Sequence, residues 1–234
     1  MKTYLEPEEL KKLEDTADNA RDKMMVRLLI RLGCRVSELL GVSVEDVDLA
    51  RRTIRIKHEK TKMGLKCPTC NTPLGKSHTF CPKCGVKVTK AIITTLEQGK
   101  MRTLPIDKDT TAMLAKYIKD GYPQKVADAK GKIRLVLFPI TRYYAYLIVR
   151  KLSIKADLPC LTNVNTGKIK FVSPHRLRDS FAVRALQKDG SNAGLKHTQA
   201  HLGHANINTT MNYLKIAGDE EQKTWYDDLW EEEK

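Results

Sequence analysis

The chain has 234 residues, 41% of them hydrophobic and 6% aromatic, enough for one large core or two small ones. No apolar run approaches the ~20 residues of a membrane span, and the opening MKTYLEPEEL lacks the apolar stretch of a secretion signal, so the sequence reads as a soluble, cytoplasmic protein. The net charge of +14 is unevenly placed: residues 219–234 hold eight acids and two bases, which leaves +20 on residues 1–218. Such an imbalance favours a polyanionic partner through counterion release over a surface charged merely for solubility.

In chain order, EPEELKKLEDTAD places Pro7 and several acids at a helix start, and ARDKMMVRLLIRLG predicts an apolar helix that stops at Gly33. RVSELLG reads as a short helix, and VSVEDVDLA and TIRIKH alternate like strands. After a cysteine-rich segment come AIITTLE and MRTLPI, two β-like runs that QGK would join as a hairpin. KDTTAMLAKYIKD and RYYAYLIVRKLSIKA predict helices, with Tyr143, Tyr144 and Tyr146 clustered as packing residues. SPHRLRDSFAVRALQKDG has a Ser N-cap, Pro at the first helical position and a Gly stop, and predicts the best-defined helix. Two or three further helices follow, the last an amphipathic acidic tail over 219–234 with Trp225, Leu229 and Trp230. The expected fold is mostly α with a small antiparallel β-sheet.

Of six cysteines, Cys34 and Cys160 stand alone and read as buried small hydrophobes. The other four, Cys67, Cys70, Cys81 and Cys84, form a C-x2-C-x10-C-x2-C pattern. Two cysteines three apart can span one edge of a zinc tetrahedron. Each pair encloses a proline and is followed by a residue tolerant of positive φ, Asn71 or Gly85. The pattern predicts a structural Zn2+ held in a ribbon over residues 60–92; two disulfides are the alternative, which an intracellular setting disfavours. Residues 57–90 carry eight lysines and one acid, which suits either phosphate contact or a solvated brace.

His175 and Arg178 lie three apart in the first turn of the SPHRLRDSF helix, where free N–H groups and the macrodipole favour an anion. Alone, they would read as a solvated basic face. Together, GCRVSELLGVSVEDVDL (33–49), HRLRDSF (175–181) and HLGHANINTTMNYL (201–214) resemble the tyrosine recombinase family of phage-type integrases and Xer recombinases, and YLEPEELKKL resembles the start of its catalytic domain. The resemblance covers most of the chain outside the ribbon and the acidic tail, making residues 1–234 a catalytic domain with the ribbon inserted.

The resemblance implies a site-specific DNA recombinase or integrase working through a 3′-phosphotyrosine, with no catalytic metal and no nucleotide cofactor. It marks Arg35 and Arg178 as phosphate-binding arginines, Tyr213 as the nucleophile, His175 as proton acceptor and His204 as a phosphate contact. Two guanidiniums can fork onto non-bridging oxygens and absorb charge in the five-coordinate transition state. A tyrosine of ordinary pKa about 10 must lose its proton as it attacks. The leaving 5′-oxygen needs a proton from a lysine. Lys100 in EQGKMRTLPI is the favoured candidate, although the family's lysine falls nearer Glu97, and Lys60 and Lys62 lie on the other side of the ribbon.

The implied partners are double-stranded DNA and further copies of the chain, dimer to tetramer, at the nucleoid, with the tail inserting into a neighbour or docking in cis. Family members commonly carry a helical DNA-binding domain before the catalytic one. Here about 20 residues precede the first core helix, so the expectation is a catalytic fragment or a protein that works without that clamp. A type IB topoisomerase shares the chemistry. A non-catalytic zinc-ribbon regulator on the same fold is the alternative from another class.

Overall fold

The computed structural model describes the chain apart from residues 1, 76, 128–130, 163–166 and 219–234, and describes residues 58–63 and 93–100 by backbone alone. The acidic tail therefore lies outside the described residues, as do its expected helix and docking. Among the described residues, no helix is long and apolar enough to cross a membrane. The chain divides into two compact units, one formed by Met1–Ile56 and the chain from Arg102 onward, the other by Lys57–Met101.

The first unit is helical. Its α-helices are α1 (Pro7–Asp15), α2 (Ala20–Leu32), α3 (Val36–Leu40), α4 (Lys108–Lys119), α5 (Arg142–Lys155), α6 (Pro174–Lys188), α7 (Asn192–Leu202) and α8 (residues 208–218). α2 is the central element, packed against α1, α4 and α6. Met25, Leu28, Leu29 and Leu32 recur at helical spacing and are wholly buried, giving α2 a continuous apolar face. They join Leu13, Leu39, Ile54, Leu114, Phe138 and Leu177 in the main core. A second cluster of Val183, Leu186, Leu195 and Ala217 binds α6, α7 and α8, with Tyr213 packed on it.

Two tight connections set what the helices present. Gly33 caps α2 with φ 54°, and its N–H donates to Leu29 O. A Cβ there would lie 2.5 Å from the Phe181 ring, so only glycine lets α2 end so close to α6. His201 stacks on Phe181, the ring centroids 4.7 Å apart, and its Nε2 is 2.9 Å from Leu32 O.

The β-structure departs from the sequence reading in three places. VSVEDVDLA is a 3-10 turn (Val44–Asp46) followed by only two strand residues, β1 (Val47–Asp48), paired with the start of β2 (Thr53–Lys66). Asp46 explains the turn, because its Oδ2 accepts from both the N–H and the hydroxyl of Ser43 and holds the backbone in a local cap. QGK is not a hairpin loop: residues Ile92–Pro105 form one continuous strand, β4, which pairs with β2. A partner strand of the same length supplies the ladder bonds that a turn would otherwise satisfy, and this overrides the local signal of Gly99. Two short hairpins, β5 (Gln124–Ala127) with β6 (Ile133–Val136) and β7 (Leu161–Thr162) with β8 (Ile169–Lys170), were not legible as strands.

Smaller differences concern single residues. Ser173 occupies the N-cap position of α6 but its side chain makes no capping bond. Cys34 is buried as expected, whereas Cys160 is exposed in the connection after α5. Tyr143, Tyr144 and Tyr146 do not pack inward; they sit on the outer face of α5, with the Arg21 guanidinium over the Tyr144 ring.

In the second unit, β3 (Pro73–Leu74) pairs with the end of β2, Leu65 opposite Leu74. Asn71 N–H donates to Cys67 O and Gly85 N–H to Cys81 O, closing two tight turns whose left-handed residues are Asn71 (φ 56°) and Gly85 (φ 69°). These are the two knuckles expected from the cysteine spacing.

Candidate active site

Two elements, α3 and the end of β4, meet at the N-terminus of α3. Glu38 is 4% exposed and carries four hydrogen bonds. Its Oε2 accepts from the Arg35 backbone N–H at 2.9 Å and from Arg102 Nη2 at 2.7 Å. Its Oε1 accepts from Arg35 Nη1 at 2.9 Å and Arg102 Nη1 at 3.2 Å. A buried carboxylate is thus shared by two guanidiniums, and Arg35, about one-third exposed, is fixed by both its backbone and its side chain.

Arg178 is held by backbone carbonyls and not by a carboxylate. It is 1% exposed, with Nη1 donating to Gly33 O at 2.9 Å and Nη2 to Leu202 O at 2.8 Å. Its guanidinium ties together the C-terminal ends of α2 and α7. Burial, and then the positive charge of Arg35, pulls its pKa down to about 10, so it remains a cation at neutral pH. His175, three residues earlier, is largely exposed, with Nε2 3.7 Å from Asp179 Oδ1.

His204 follows Gly203, which caps α7 with φ 69°. A Cβ on Gly203 would lie 2.8 Å from Arg102 Nη1. The His204 Nδ1 is 2.9 Å from Thr210 Oγ1, and its ring is 6.2 Å from that of Tyr213. Burial, then Arg178, Arg35 and His175, pushes its pKa down to about 4, so the ring is neutral at pH 7. Tyr213 projects from α8, and its hydroxyl donates to Asp179 Oδ1 at 2.7 Å. Burial, followed by the Asp179 charge and hydrogen bond, raises its pKa above the ordinary phenol value.

The fold therefore brings Arg35, His175, Arg178, His204 and Tyr213, 178 positions apart at the extremes, into one electrostatic neighbourhood. Three neighbours escaped the sequence reading: Glu38, Arg102 and Asp179. Glu38 had a signal, since it lies one helical turn after Arg35. Arg102 was hidden inside a strand pattern, and Asp179 inside the motif that also holds Arg178. The side chains of Lys100, Lys60 and Lys62 lie outside those described; the Lys100 backbone is in β4 and those of Lys60 and Lys62 in β2.

Four thiols in the second unit form a separate centre. Cys67 Sγ lies 3.6 Å from Cys84 Sγ and Cys70 Sγ 3.5 Å from Cys81 Sγ, with all four within 4.8 Å of one another. A disulfide needs sulfurs ~2.05 Å apart. Thiolates ~2.3 Å from a central ion lie close to the separations seen, so the cluster fits a four-coordinate metal.

The fold is that of a tyrosine recombinase catalytic domain. The crystal structure of XerA recombinase matches over 98% of this chain and 64% of its own, with a TM-score of 0.63 at 23% identity. XerH site-specific recombinase bound to palindromic difH substrate, in a post-cleavage complex, matches over 98% of this chain and 53% of its own, with a TM-score of 0.64 at 20% identity. The sequence profile of the phage integrase family covers residues 3–79 and 83–220, and the chain belongs to that family. Tyrosine recombinase XerA of Pyrococcus horikoshii is 27% identical over 215 residues, covering 91% of this chain and 56% of the relative. The chain spans about half the length of the curated relatives it matches.

Replacing Glu38 by Ala leaves two cations without their shared buried counter-ion. Removing one partner of a buried pair costs about 3–5 kcal/mol. Urea unfolding of Glu38→Ala should show a loss of that order; a loss below ~1 kcal/mol, the range of an exposed pair, would mean that Glu38 does not organise the arginines.

Proposed function

We propose that the chain is the catalytic part of a site-specific DNA recombinase or integrase, cutting and rejoining strands through a 3′-phosphotyrosine. The observation that supports this best is a half-buried tyrosine in the same site as two arginines fixed by the fold, Arg35 by Glu38 and Arg178 by two backbone carbonyls. Positive charge held in place before substrate arrives needs no reorganisation during the reaction.

In this reading a phosphodiester binds between Arg35 and Arg178. The Tyr213 oxygen attacks phosphorus and its proton passes to His175, which is exposed enough to release it to water. The P–O bond to the 5′-oxygen breaks, and a lysine protonates that oxygen: Lys100, or else Lys60 or Lys62. With the Thr210 hydroxyl donating to Nδ1, neutral His204 keeps its proton on Nε2 and donates it to a phosphate oxygen as a hydrogen bond. One ester replaces another, so a 5′-hydroxyl can reverse the step without ATP and without a catalytic metal.

Cys67, Cys70, Cys81 and Cys84 would hold a structural Zn2+. Four thiolates fill the tetrahedron and leave no position for water or substrate. The ribbon, residues 60–92, is inserted in a catalytic domain spanning 1–234, and its lysines add phosphate contacts. The partners are double-stranded DNA and, on it, further copies of the chain, with residues 219–234 as a docking helix. The working place is the cytoplasm, at the nucleoid.

Mixed with a nicked duplex carrying its recombination site, the protein should form an adduct that survives denaturant, and Tyr213→Phe should abolish it. An adduct that persists in Tyr213→Phe would assign the nucleophile elsewhere. DNA binding by the wild type with no adduct would favour the non-catalytic regulator.

The purified protein should hold about one zinc per chain. Cys67→Ser with Cys81→Ser should release it, weaken DNA binding and flatten the salt dependence as lysine–phosphate contacts are lost. Unchanged affinity and slope would leave the ribbon as a brace.

A further inference from the structure

Asp179 is 5% exposed, and both of its carboxylate oxygens are committed. Oδ2 accepts from Arg176 Nη1 at 2.8 Å, and Arg176 is itself 5% exposed. Oδ1 accepts from the Tyr213 hydroxyl at 2.7 Å. Arg176 and Asp179 are one turn apart on α6, so the carboxylate is fixed by its own helix before it meets α8. α6 is held in turn by the buried bond from Leu5 N–H to Ser180 Oγ. The result is a rigid chain, Arg176 to Asp179 to Tyr213, ending on the atom that would attack phosphorus.

We propose that Asp179 is the positioning residue of the nucleophile: its carboxylate, held by Arg176, fixes the Tyr213 hydroxyl in place and keeps it protonated until the phosphodiester is bound. This rests on the reading of Tyr213 as the nucleophile. The contact uses only the phenol hydrogen, so the oxygen lone pairs stay available for attack. The surrounding charges agree with that role. Asp179 opposes loss of the phenol proton, whereas Arg178 and Arg176 on the same helix favour it. His204, stacked on the Tyr213 ring, is neutral at pH 7, and His175 faces Asp179 from the first turn of α6. A resting phenol therefore sits among fixed cations without ionising early, and without wandering from α6.

The contact can be read in the free protein. With tyrosine labelled at 13Cζ, the Tyr213 resonance should titrate above an ordinary phenol in the wild type. In Asp179→Asn, which keeps the side-chain volume and removes the charge, the midpoint should fall by roughly one pH unit or more. Equal midpoints in the two proteins would overturn the proposal. A functional readout separates positioning from a purely structural role. On saturating nicked duplex, Asp179→Ala should slow single-turnover adduct formation about tenfold or more, with DNA affinity unchanged. An unchanged rate at saturation would overturn the proposal, as would a defect confined to affinity. If Asp179→Ala does not fold, Asp179→Asn serves: its rate should rise at lower pH than that of the wild type, and superimposable pH profiles would count against the role. Failure of the underlying reading looks different, because Tyr213→Phe would then still form the adduct whatever the midpoint of Tyr213 does.

Discussion

The arrangement depends on a buried carboxylate shared by two arginines. Glu38 gathers the Arg35 and Arg102 side chains and also accepts the Arg35 backbone N–H. Three cations in a small volume, Arg35, Arg102 and Arg178, would repel one another and drive the fold apart. One buried anion and two backbone carbonyls offset that repulsion and fix where each positive group lies. What remains is a site with a net positive charge, which suits an anion. Partial burial, and then the same field, accounts for the histidine: half-buried beside three arginines, His204 has its pKa lowered to about 4 and is neutral at pH 7.

The backbone serves this balance at two glycines. Gly33 and Gly203 each end a helix in the left-handed region, and their carbonyl-bearing neighbourhoods receive Arg178. Each also allows a side chain to approach where a Cβ would collide: Phe181 at Gly33 and Arg102 at Gly203. Helix termination and site assembly are therefore one event in this fold, because Arg35 and His204 follow those two glycines within two residues.

Much of this is legible in the sequence. The helices of the first unit are amphipathic with ordinary stop signals, so periodicity located them, and Arg35, His175, Arg178, His204 and Tyr213 stood in recognisable stretches. The C-x2-C pairs likewise gave the two knuckles, since left-handed Asn71 and Gly85 are local requirements. What stayed hidden was set by tertiary pairing. Gly99 looked like a turn until β2 supplied a partner along β4. The carbonyls that hold Arg178 were not legible, because its spacing from His175 says nothing about which backbone groups lie nearby. Asp179 was invisible as a partner of Tyr213 because the two are 34 positions apart and only the packing of α8 on α6 brings them together.

The central claim is that Arg35 is placed to absorb phosphate charge. A substrate that removes the charge tests it most directly. A nicked duplex with a neutral methylphosphonate at the scissile position should restore covalent adduct formation to Arg35→Ala, which should be inactive on the ordinary phosphodiester. Arg35→Ala that stays inactive on the neutral substrate, while the wild type cleaves it, would contradict the account and assign Arg35 a role other than charge stabilisation.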